Sequence, residues 1–307
     1  MNKMVSISVV AFGLSMSQVS ANTLIFGDSL SDGGAAEAVT LATGGTWPYG
    51  IYPQGQFTNG DSWATKIGSD FASGYNFAFG GARARDNGDN IPDFLAQVGN
   101  YLTSGLDASM VDDVAIWFGG NDFRDLLFQP VPPSQTDIEL ASGAIIQEIF
   151  TGIGAIATTG LTKYSVFGLP DLSQIPQVVN TPSAPTVSAI ISGYNDALAT
   201  SVAGFAAQTG LDVSYFDVQS IVEDVFADAG ALGITELEES CLSNPVDCKA
   251  NPNSFFFYDD LHPTDVVHAE LAKTYTSTVV PLPAGMPLVL SGLILLVLAS
   301  RGNRSRA

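Results

Sequence analysis

The sequence predicts an α/β protein, a three-layer α/β/α sandwich with a central five-stranded parallel sheet. Two observations carry this prediction. The 307 residues are 46% hydrophobic and 14% charged, which is a composition that folds. Short apolar runs alternate with helix-like stretches along the middle of the chain, without a repeat at solenoid periods. This alternation is typical of parallel strands with helices on both faces of the sheet.

The individual elements follow from that alternation. Strands are predicted at residues 23–26, 75–79, 113–118, 164–167 and 213–216. Helices are predicted at residues 62–71, 91–102, 137–157, 186–207, 221–229 and 265–276. The proline-containing segments "QPVPPSQT" and "NTPSAPT" are shorter than typical interdomain tethers and lie within the alternation. We therefore expect residues 22–278 to form one domain.

The charge is strongly unbalanced, with 31 acidic residues against 11 basic ones. Four of the bases, Lys3, Arg301, Arg304 and Arg306, lie in end segments that contain no acid. The other 7 bases and all 31 acids lie between these end segments, so the middle of the chain has a net charge of −24. Such a surface repels nucleic acid and anionic membranes, so we expect no nucleic-acid partner.

The two ends have the patterns of export and sorting segments. Residues 1–21 combine Lys3, the apolar run "VSISVVAFGLSM" and a small-x-small site, "VSA", which is typical of a signal peptide. Residues 279–307 combine a proline motif, an uncharged run and a basic end. That tail resembles the VPLPA variant of the PEP-CTERM sorting signal. The resemblance implies an exosortase-like processing enzyme, and a plain membrane anchor is the alternative.

Cys241 and Cys248 are the only two cysteines. In an exported protein an even count indicates a disulfide, and two free thiols are the alternative. A zinc site is disfavoured because no histidine stands near the pair.

Chemistry-bearing residues follow three successive predicted strands. Ser29 follows the first strand, Gly80 and Gly81 follow the second, and Asn121 follows the third. Ligands bind outside the carboxyl ends of parallel strands, so these residues are expected at one site. A nucleophilic serine needs a base and a group that orients the base. His262 is the candidate base, with Asp259 three residues before it.

These residues resemble the GDSL, or SGNH, hydrolase family. Ser29 stands in "GDSLSD", Gly81 in "NFAFGGA", Asn121 in "GGND" and His262 in "DDLHP", and "FTNGDSW" is similar to a further family segment. The resemblance implies a flavodoxin-like fold, a Ser29–His262–Asp259 catalytic triad and an acyl-enzyme intermediate. It also implies an oxyanion hole made by the N–H groups of Ser29 and Gly81 with the Asn121 amide. No cofactor or metal is implied.

The expected activity is that of a secreted serine ester hydrolase on a lipid ester or an acylated glycan, and the protein is expected to be a monomer. Three alternatives use the same scaffold: an exopolysaccharide O-acetylesterase, an acyltransferase and a non-catalytic surface or matrix protein.

Several individual residues have competing interpretations. Asp260 is the rival of Asp259 as the orienting acid, and His268 is expected to be a packed histidine on the last helix. Asp122 is expected to support its loop. The segment "DNGDN" at residues 86–90 lacks the EF-hand pattern and is expected to be a solvated turn. The segment "TWPYG" at residues 46–50 has two interpretations: it lines a substrate cleft, or it packs within its own loop.

Overall fold

The computed structural model describes residues 22–279. The expected signal peptide at residues 1–21 lies outside the described residues, and so does the expected tail apart from Val279.

Four parallel strands form the main sheet. They are β1 (Thr23–Gly27), β2 (Asp113–Trp117), β3 (Lys163–Phe167) and β4 (Asp212–Phe216), in the spatial order β1-β2-β3-β4. Each neighbouring pair is parallel. The α/β class and the parallel sheet are therefore confirmed, with these strand bounds within one residue of the prediction.

The predicted strand at residues 75–79 differs from the other four. It lies beside β1, and its backbone N–H groups on Phe77 and Phe79 donate to the carbonyls of Ile25 and Gly27. These hydrogen bonds form only one isolated bridge, between Ile25 and Asn76. The regular sheet therefore has four strands rather than the predicted five. The Asn76 side chain explains the irregularity, because its amide donates to the carbonyls of Ser31 and Ser69 and ties the segment to the loops around it.

Nine α-helices are assigned within residues 22–279. They are α1 (Ala35–Ala42), α2 (Trp63–Lys66), α3 (Phe94–Ser104), α4 (Gly120–Leu127), α5 (Gln135–Ala157), α6 (Ala184–Thr209), α7 (Val218–Ala227), α8 (Pro245–Ala250) and α9 (Asp265–Val279). The six predicted helices correspond to α2, α3, α5, α6, α7 and α9. The short helices α1, α4 and α8 were not predicted.

The helices form two groups. Helix α5 contacts α3 and α6, whereas α9 contacts α2 and α7. Alternate strand side chains meet different groups: Phe26 of β1 packs on Phe94 of α3, and Trp117 of β2 packs on Trp63 of α2. The hydrophobic core therefore fills both faces of the sheet, as expected for a three-layer sandwich.

A second, two-stranded sheet supports the loop that carries the histidine. Strands β5 (Glu236–Ser240) and β6 (Phe255–Phe257) pair in parallel, and neither was predicted. A disulfide joins Cys241, which directly follows β5, to Cys248. The backbone N–H of Leu242 donates to the carbonyl of Tyr258, which directly follows β6. This arrangement holds the start of the 259–262 loop against the disulfide-closed segment.

Candidate active site

The predicted site residues meet at the carboxyl-terminal edge of the main sheet. Ser29 lies two residues after β1, Gly81 two residues after the segment beside β1, and Asn121 in the first turn of α4, which follows β2. His262 comes from the loop after β6. The sharp turn at Ser29 is fixed by the carbonyl of Asp28, which accepts from the N–H groups of Ser31 and Asp32.

Ser29, His262 and Asp259 form a continuous chain of hydrogen bonds. Nε2 of His262 lies 2.8 Å from Oγ of Ser29, and Nδ1 of His262 lies 2.8 Å from Oδ2 of Asp259. The other carboxylate oxygen, Oδ1, accepts from the backbone N–H groups of His262 at 2.7 Å and Leu261 at 2.8 Å. The acid is thus held by the loop that also carries the histidine.

The electrostatics of Asp259 decide which ring nitrogen of His262 carries the proton. Burial by itself raises the pKa of Asp259, but the charge and hydrogen bonds of His262 outweigh that effect and lower it to about 2. An ionised carboxylate can only accept, so the Nδ1–H of His262 is the donor. In the neutral imidazole Nε2 is then the acceptor for the Ser29 hydroxyl, which is the arrangement that a general base requires.

Tyr52 is a further member of this network that the sequence did not reveal. Its hydroxyl donates to Oδ2 of Asp259 at 2.7 Å, across 207 positions of sequence. Burial and the nearby Asp259 raise the pKa of Tyr52 far above its ordinary value, so the hydroxyl stays protonated. Tyr52 packs on Trp47 and Phe57, and the ring of Phe57 lies 5.4 Å from that of His262. The 46–57 segment therefore packs along the acid and histidine side of the site.

The three predicted oxyanion-hole donors are free or only weakly engaged within residues 22–279. The backbone N–H groups of Ser29 and Gly81 form no hydrogen bond with any other residue in the range 22–279. Nδ2 of Asn121 donates to the carbonyl of Ala82 at 2.9 Å and lies 3.5 Å from Oδ2 of Asp28, at the limit of a hydrogen bond. Two free backbone donors and one weakly engaged amide hydrogen are what an anionic tetrahedral oxygen needs.

Two buried aspartates hold the loops that present these donors. Oδ2 of Asp32 accepts from the N–H of Gly80 at 2.8 Å, while Oδ1 accepts from the N–H of Ala35 at 2.7 Å at the start of α1. Oδ2 of Asp122 accepts from the N–H of Ala84 at 2.9 Å. The Gly80–Gly81 turn is therefore tied at both ends.

The structure separates the competing candidates. Asp260 accepts from Oγ of Ser240 at 2.8 Å and therefore faces β5. Nδ1 of His268 accepts from the backbone N–H of Trp63 at 3.2 Å, and burial lowers the pKa of His268 to about 3. His268 is thus a neutral packed histidine. The part of the chain that the structure describes contains no group of three or more His, Cys, Asp or Glu side chains arranged to hold a metal ion.

A largely apolar cavity opens beside Ser29. Ser29, Asn121 and His262 all line it. Its inner wall consists of buried apolar side chains from the loop after β3 and from α7, β6 and α9, including Leu172, Ile175, Val218, Val222, Phe256 and Leu271. Exposed Arg124, Phe128 and Gln174 also line it and form its mouth. The nucleophile candidate therefore stands between an apolar interior and solvent.

Comparison with known proteins agrees with the family that the sequence motifs resemble. The profile of the GDSL-like Lipase/Acylhydrolase family matches residues 24–274. A GDSL esterase/lipase of Arabidopsis thaliana is 25% identical, over 81% of this chain and 79% of its own length. A phosphatidylcholine-sterol acyltransferase of Aeromonas hydrophila is 23% identical, over 81% of this chain and 87% of its own.

Among solved structures, an extracellular lipase from Streptomyces rimosus covers 84% of this chain and 100% of its own, with a TM-score of 0.44 and 16% identity.

Proposed function

The chain belongs to the GDSL-like lipase/acylhydrolase family and is a carboxylic ester hydrolase, and we propose that it acts on esters of acyl chains longer than acetyl, with Ser29 as the nucleophile. The observation that carries the proposal is the hydrogen-bonded chain from Ser29 through His262 to Asp259 at the wall of an apolar cavity.

In the proposed mechanism Nε2 of His262 takes the hydroxyl proton as Oγ of Ser29 attacks the ester carbonyl. The carboxylate of Asp259 stabilises the imidazolium that forms. The negative oxygen of the tetrahedral intermediate accepts hydrogen bonds from the N–H groups of Ser29 and Gly81 and from the amide of Asn121. His262 then gives its proton to the leaving alkoxide, and an acyl-enzyme remains on Ser29.

Water completes the reaction by the same steps. His262 removes a proton from a water molecule, whose oxygen attacks the acyl-enzyme carbonyl. Collapse of the second tetrahedral intermediate releases the carboxylic acid and returns the proton to Ser29. An alcohol in place of water would give acyl transfer, so transfer and hydrolysis share every residue of this scheme.

The apolar cavity supports the acyl-chain part of the proposal. Transfer of a methylene group from water to an apolar site is favourable by about 0.8 kcal/mol. An acyl chain of several carbons therefore gains binding energy against side chains such as Val222 and Phe256, whereas an acetyl group leaves that wall without contact. We infer that binding strengthens with chain length until the cavity is filled.

The test is a series of p-nitrophenyl esters from acetate to palmitate, assayed with the wild type, Ser29→Ala and Val222→Phe. We expect kcat/KM to rise with chain length to a maximum above acetate, Ser29→Ala to be inactive, and Val222→Phe to move the maximum to shorter chains. An acetate optimum would contradict the acyl-chain proposal and would favour deacetylation of an acylated glycan. An added alcohol that diverts most of the acyl group would instead indicate a transferase.

Export is also part of the proposal. The Cys241–Cys248 disulfide supports it, because disulfides persist in oxidising compartments. The signal-like segment at residues 1–21 and the sorting-like tail from residue 279 support passage across the inner membrane and removal of the tail by an exosortase-like enzyme. Intact mass of the protein from its native host tests this. A chain running from about Asn22 to the proline motif is expected, and a membrane-bound chain ending at Ala307 would contradict it.

A further inference from the structure

We propose that Arg124 binds a phosphate group on the alcohol side of the ester, which makes a monoacyl glycerophospholipid a better substrate than the neutral monoacylglycerol of the same chain. This inference rests on the proposed function, since it assumes that the cavity beside Ser29 receives the acyl chain. It adds a binding subsite at the cavity mouth.

Arg124 has no ion-pair partner among residues 22–279, although the protein is very acidic. Most of the basic side chains within residues 22–279 have a partner: Lys66, Arg83, Arg85 and Lys273 form ion pairs, and Lys163 donates to a backbone carbonyl. The side chains of Arg124 and Lys249 form neither an ion pair nor a hydrogen bond with any residue that the structure describes. Of these two, only Arg124 lines the cavity.

The position of Arg124 on α4 places its charge close to the reacting carbonyl. Arg124 follows Asn121 by three residues on this helix, so the two lie on one face with their Cβ atoms about 5–6 Å apart. Phe128, four residues further, also lines the cavity and is 38% exposed. An ester whose carbonyl oxygen is held at Asn121 therefore has Arg124 within a few bond lengths.

The depth of the cavity decides which side of the ester meets Arg124. The inner wall is buried and apolar and suits the acyl chain, whereas Arg124 is exposed at the mouth. The alcohol must therefore extend past Arg124 towards solvent. An anionic group close to the ester oxygen on the alcohol side is then within reach of the guanidinium.

No acid in the cavity neutralises Arg124. The cavity wall contains two acids, Asp28 and Asp171. Asp171 accepts from the N–H of Ser173 and from Oγ of Ser188, and Asp28 accepts from the N–H of Leu30. Neither forms an ion pair with Arg124. The guanidinium therefore keeps all of its donors for a ligand.

A phosphate is the anion that suits this position. A planar guanidinium pairs with two phosphate oxygens at once and keeps its charge at every working pH. In a glycerophospholipid the phosphate is carried by the alcohol, a few bonds from the scissile ester. Because the rest of the chain carries many more acids than bases, a zwitterionic headgroup such as phosphocholine is favoured over an anionic lipid surface.

The experiment compares lysophosphatidylcholine with the monoacylglycerol of the same chain, both below their aggregation limits. For the wild type we expect the higher kcat/KM on lysophosphatidylcholine. Arg124→Gln should lower the ratio of the two kcat/KM values about tenfold, the size of a lost hydrogen bond to a charged group. Arg124→Lys should keep part of the ratio, and Lys249→Gln, the matched unpaired cation on α8, should keep all of it.

Three results would overturn the inference: a wild type without preference for the phosphate ester, an equal loss on both substrates in Arg124→Gln, or a reduced ratio in Lys249→Gln. If Arg124→Gln lost activity only on an acetylated acidic polysaccharide, that result would also overturn the inference and would favour a glycan substrate. The p-nitrophenyl esters carry no phosphate, so a protein inactive on them would contradict the proposed function itself. A protein active on them that shows one of the results above would contradict only the inference about Arg124.

Discussion

The hydroxyl of Tyr52 and the Nδ1–H of His262 donate to the same oxygen of Asp259, Oδ2, at 2.7 Å and 2.8 Å. The acid of the proposed triad is therefore oriented from two sides, by its own loop and by the aromatic segment at residues 46–57. Tyr52 also packs against Tyr258 and lies in the small cluster formed around the disulfide cysteine Cys241.

Tyr52→Phe should lower kcat about tenfold, because it removes a hydrogen bond to a charged group while keeping the ring. KM for p-nitrophenyl esters should not change, since Tyr52 does not line the cavity. Steady-state kinetics measure both values. Tyr49→Phe is the matched control, because Tyr49 donates to Glu37 on an exposed surface and should behave as wild type. A Tyr52→Phe variant with normal kcat, or one with altered KM and reduced melting temperature, would assign the hydroxyl no role in positioning.

Asp259→Asn should lower kcat by roughly 10³–10⁴-fold, since an amide nitrogen facing Nδ1 no longer selects the required tautomer of His262. Asp260→Asn should stay within a few-fold of wild type, because Asp260 accepts from Ser240 and not from the imidazole. The two variants replace acids at adjacent positions by the same amide, so any difference between their activities reflects the position of the side chain relative to His262. Equal losses in both, measured as kcat/KM on one ester, would contradict the assignment of Asp259.

Gly81→Ala should lower kcat by about tenfold to a hundredfold. Gly81 has a φ of +87°, which L side chains rarely adopt, so relaxation of the strained turn should move its N–H; the new Cβ would also lie 2.9 Å from Cδ1 of Ile91, the end of a flexible side chain that can move away. Gly88→Ala is the matched control, with a φ of +77° and open space around the new Cβ. Both variants should lose about 1 kcal/mol of stability from backbone strain. If the two lost the same amount of activity, the Gly81 N–H would have no special role.

Three buried aspartates should each lower the stability of the protein as the pH rises from about 4 to 7. Burial raises the pKa of Asp113 to about 6, and it also raises those of Asp32 and Asp28, to about 6 and about 7. A raised pKa means that the folded state holds the proton more tightly than the unfolded chain. The protonated carboxyl therefore stabilises the fold fully below pH 4, and the free energy of unfolding decreases as the proton leaves at higher pH. For Asp113 the loss is on the order of 3 kcal/mol.

In Asp113→Asn the free energy of unfolding, measured by urea titration between pH 4 and 7, should decrease less with rising pH than in the wild type. Oδ1 of Asp113 is buried and has no hydrogen-bond partner in the described part of the chain, and Oδ2 accepts from Tyr275 and Ser165, so an amide imitates the protonated acid. The neighbouring exposed Asp112→Asn variant should keep the wild-type slope. His268 acts in the opposite sense over the same pH range, because its lowered pKa means that the unfolded chain binds the proton more tightly, and it is common to both variants. Asp259 also acts in the opposite sense, but only below pH 4. An unchanged slope in Asp113→Asn would contradict the account.

The parts of the site that the sequence predicted are those encoded by local pattern. Ser29, Gly81 and Asn121 each follow a short apolar run, and parallel strands bring their carboxyl ends to one edge. Asp259 and His262 lie in one loop, so their contact follows from spacing alone. The hydrogen-bonded chain among Ser29, His262 and Asp259 has the predicted order, while the catalytic roles themselves stay predictions.

The parts that were missed depend on distant contacts or on weak local signals. Tyr52 and Asp259 are far apart in sequence, and nothing near Tyr52 indicates an acid as its partner. Strand β5 reads "ELEES", which lacks an apolar alternation, and its pairing depends on β6 and the adjacent disulfide. The predicted strand at residues 75–79 has the right pattern but is held by side-chain bonds of Asn76 that a pattern cannot reveal.

The central claim is that Ser29 is the nucleophile, and an active-site-directed fluorophosphonate tests it most directly. Intact mass should show one adduct per chain, and peptide mapping should place it on Ser29, with loss of esterase activity in proportion to labelling. Ser29→Ala should remain folded, take up no label and hydrolyse no ester. An adduct on another residue, or ester hydrolysis by Ser29→Ala above a few per cent of wild type, would contradict the account.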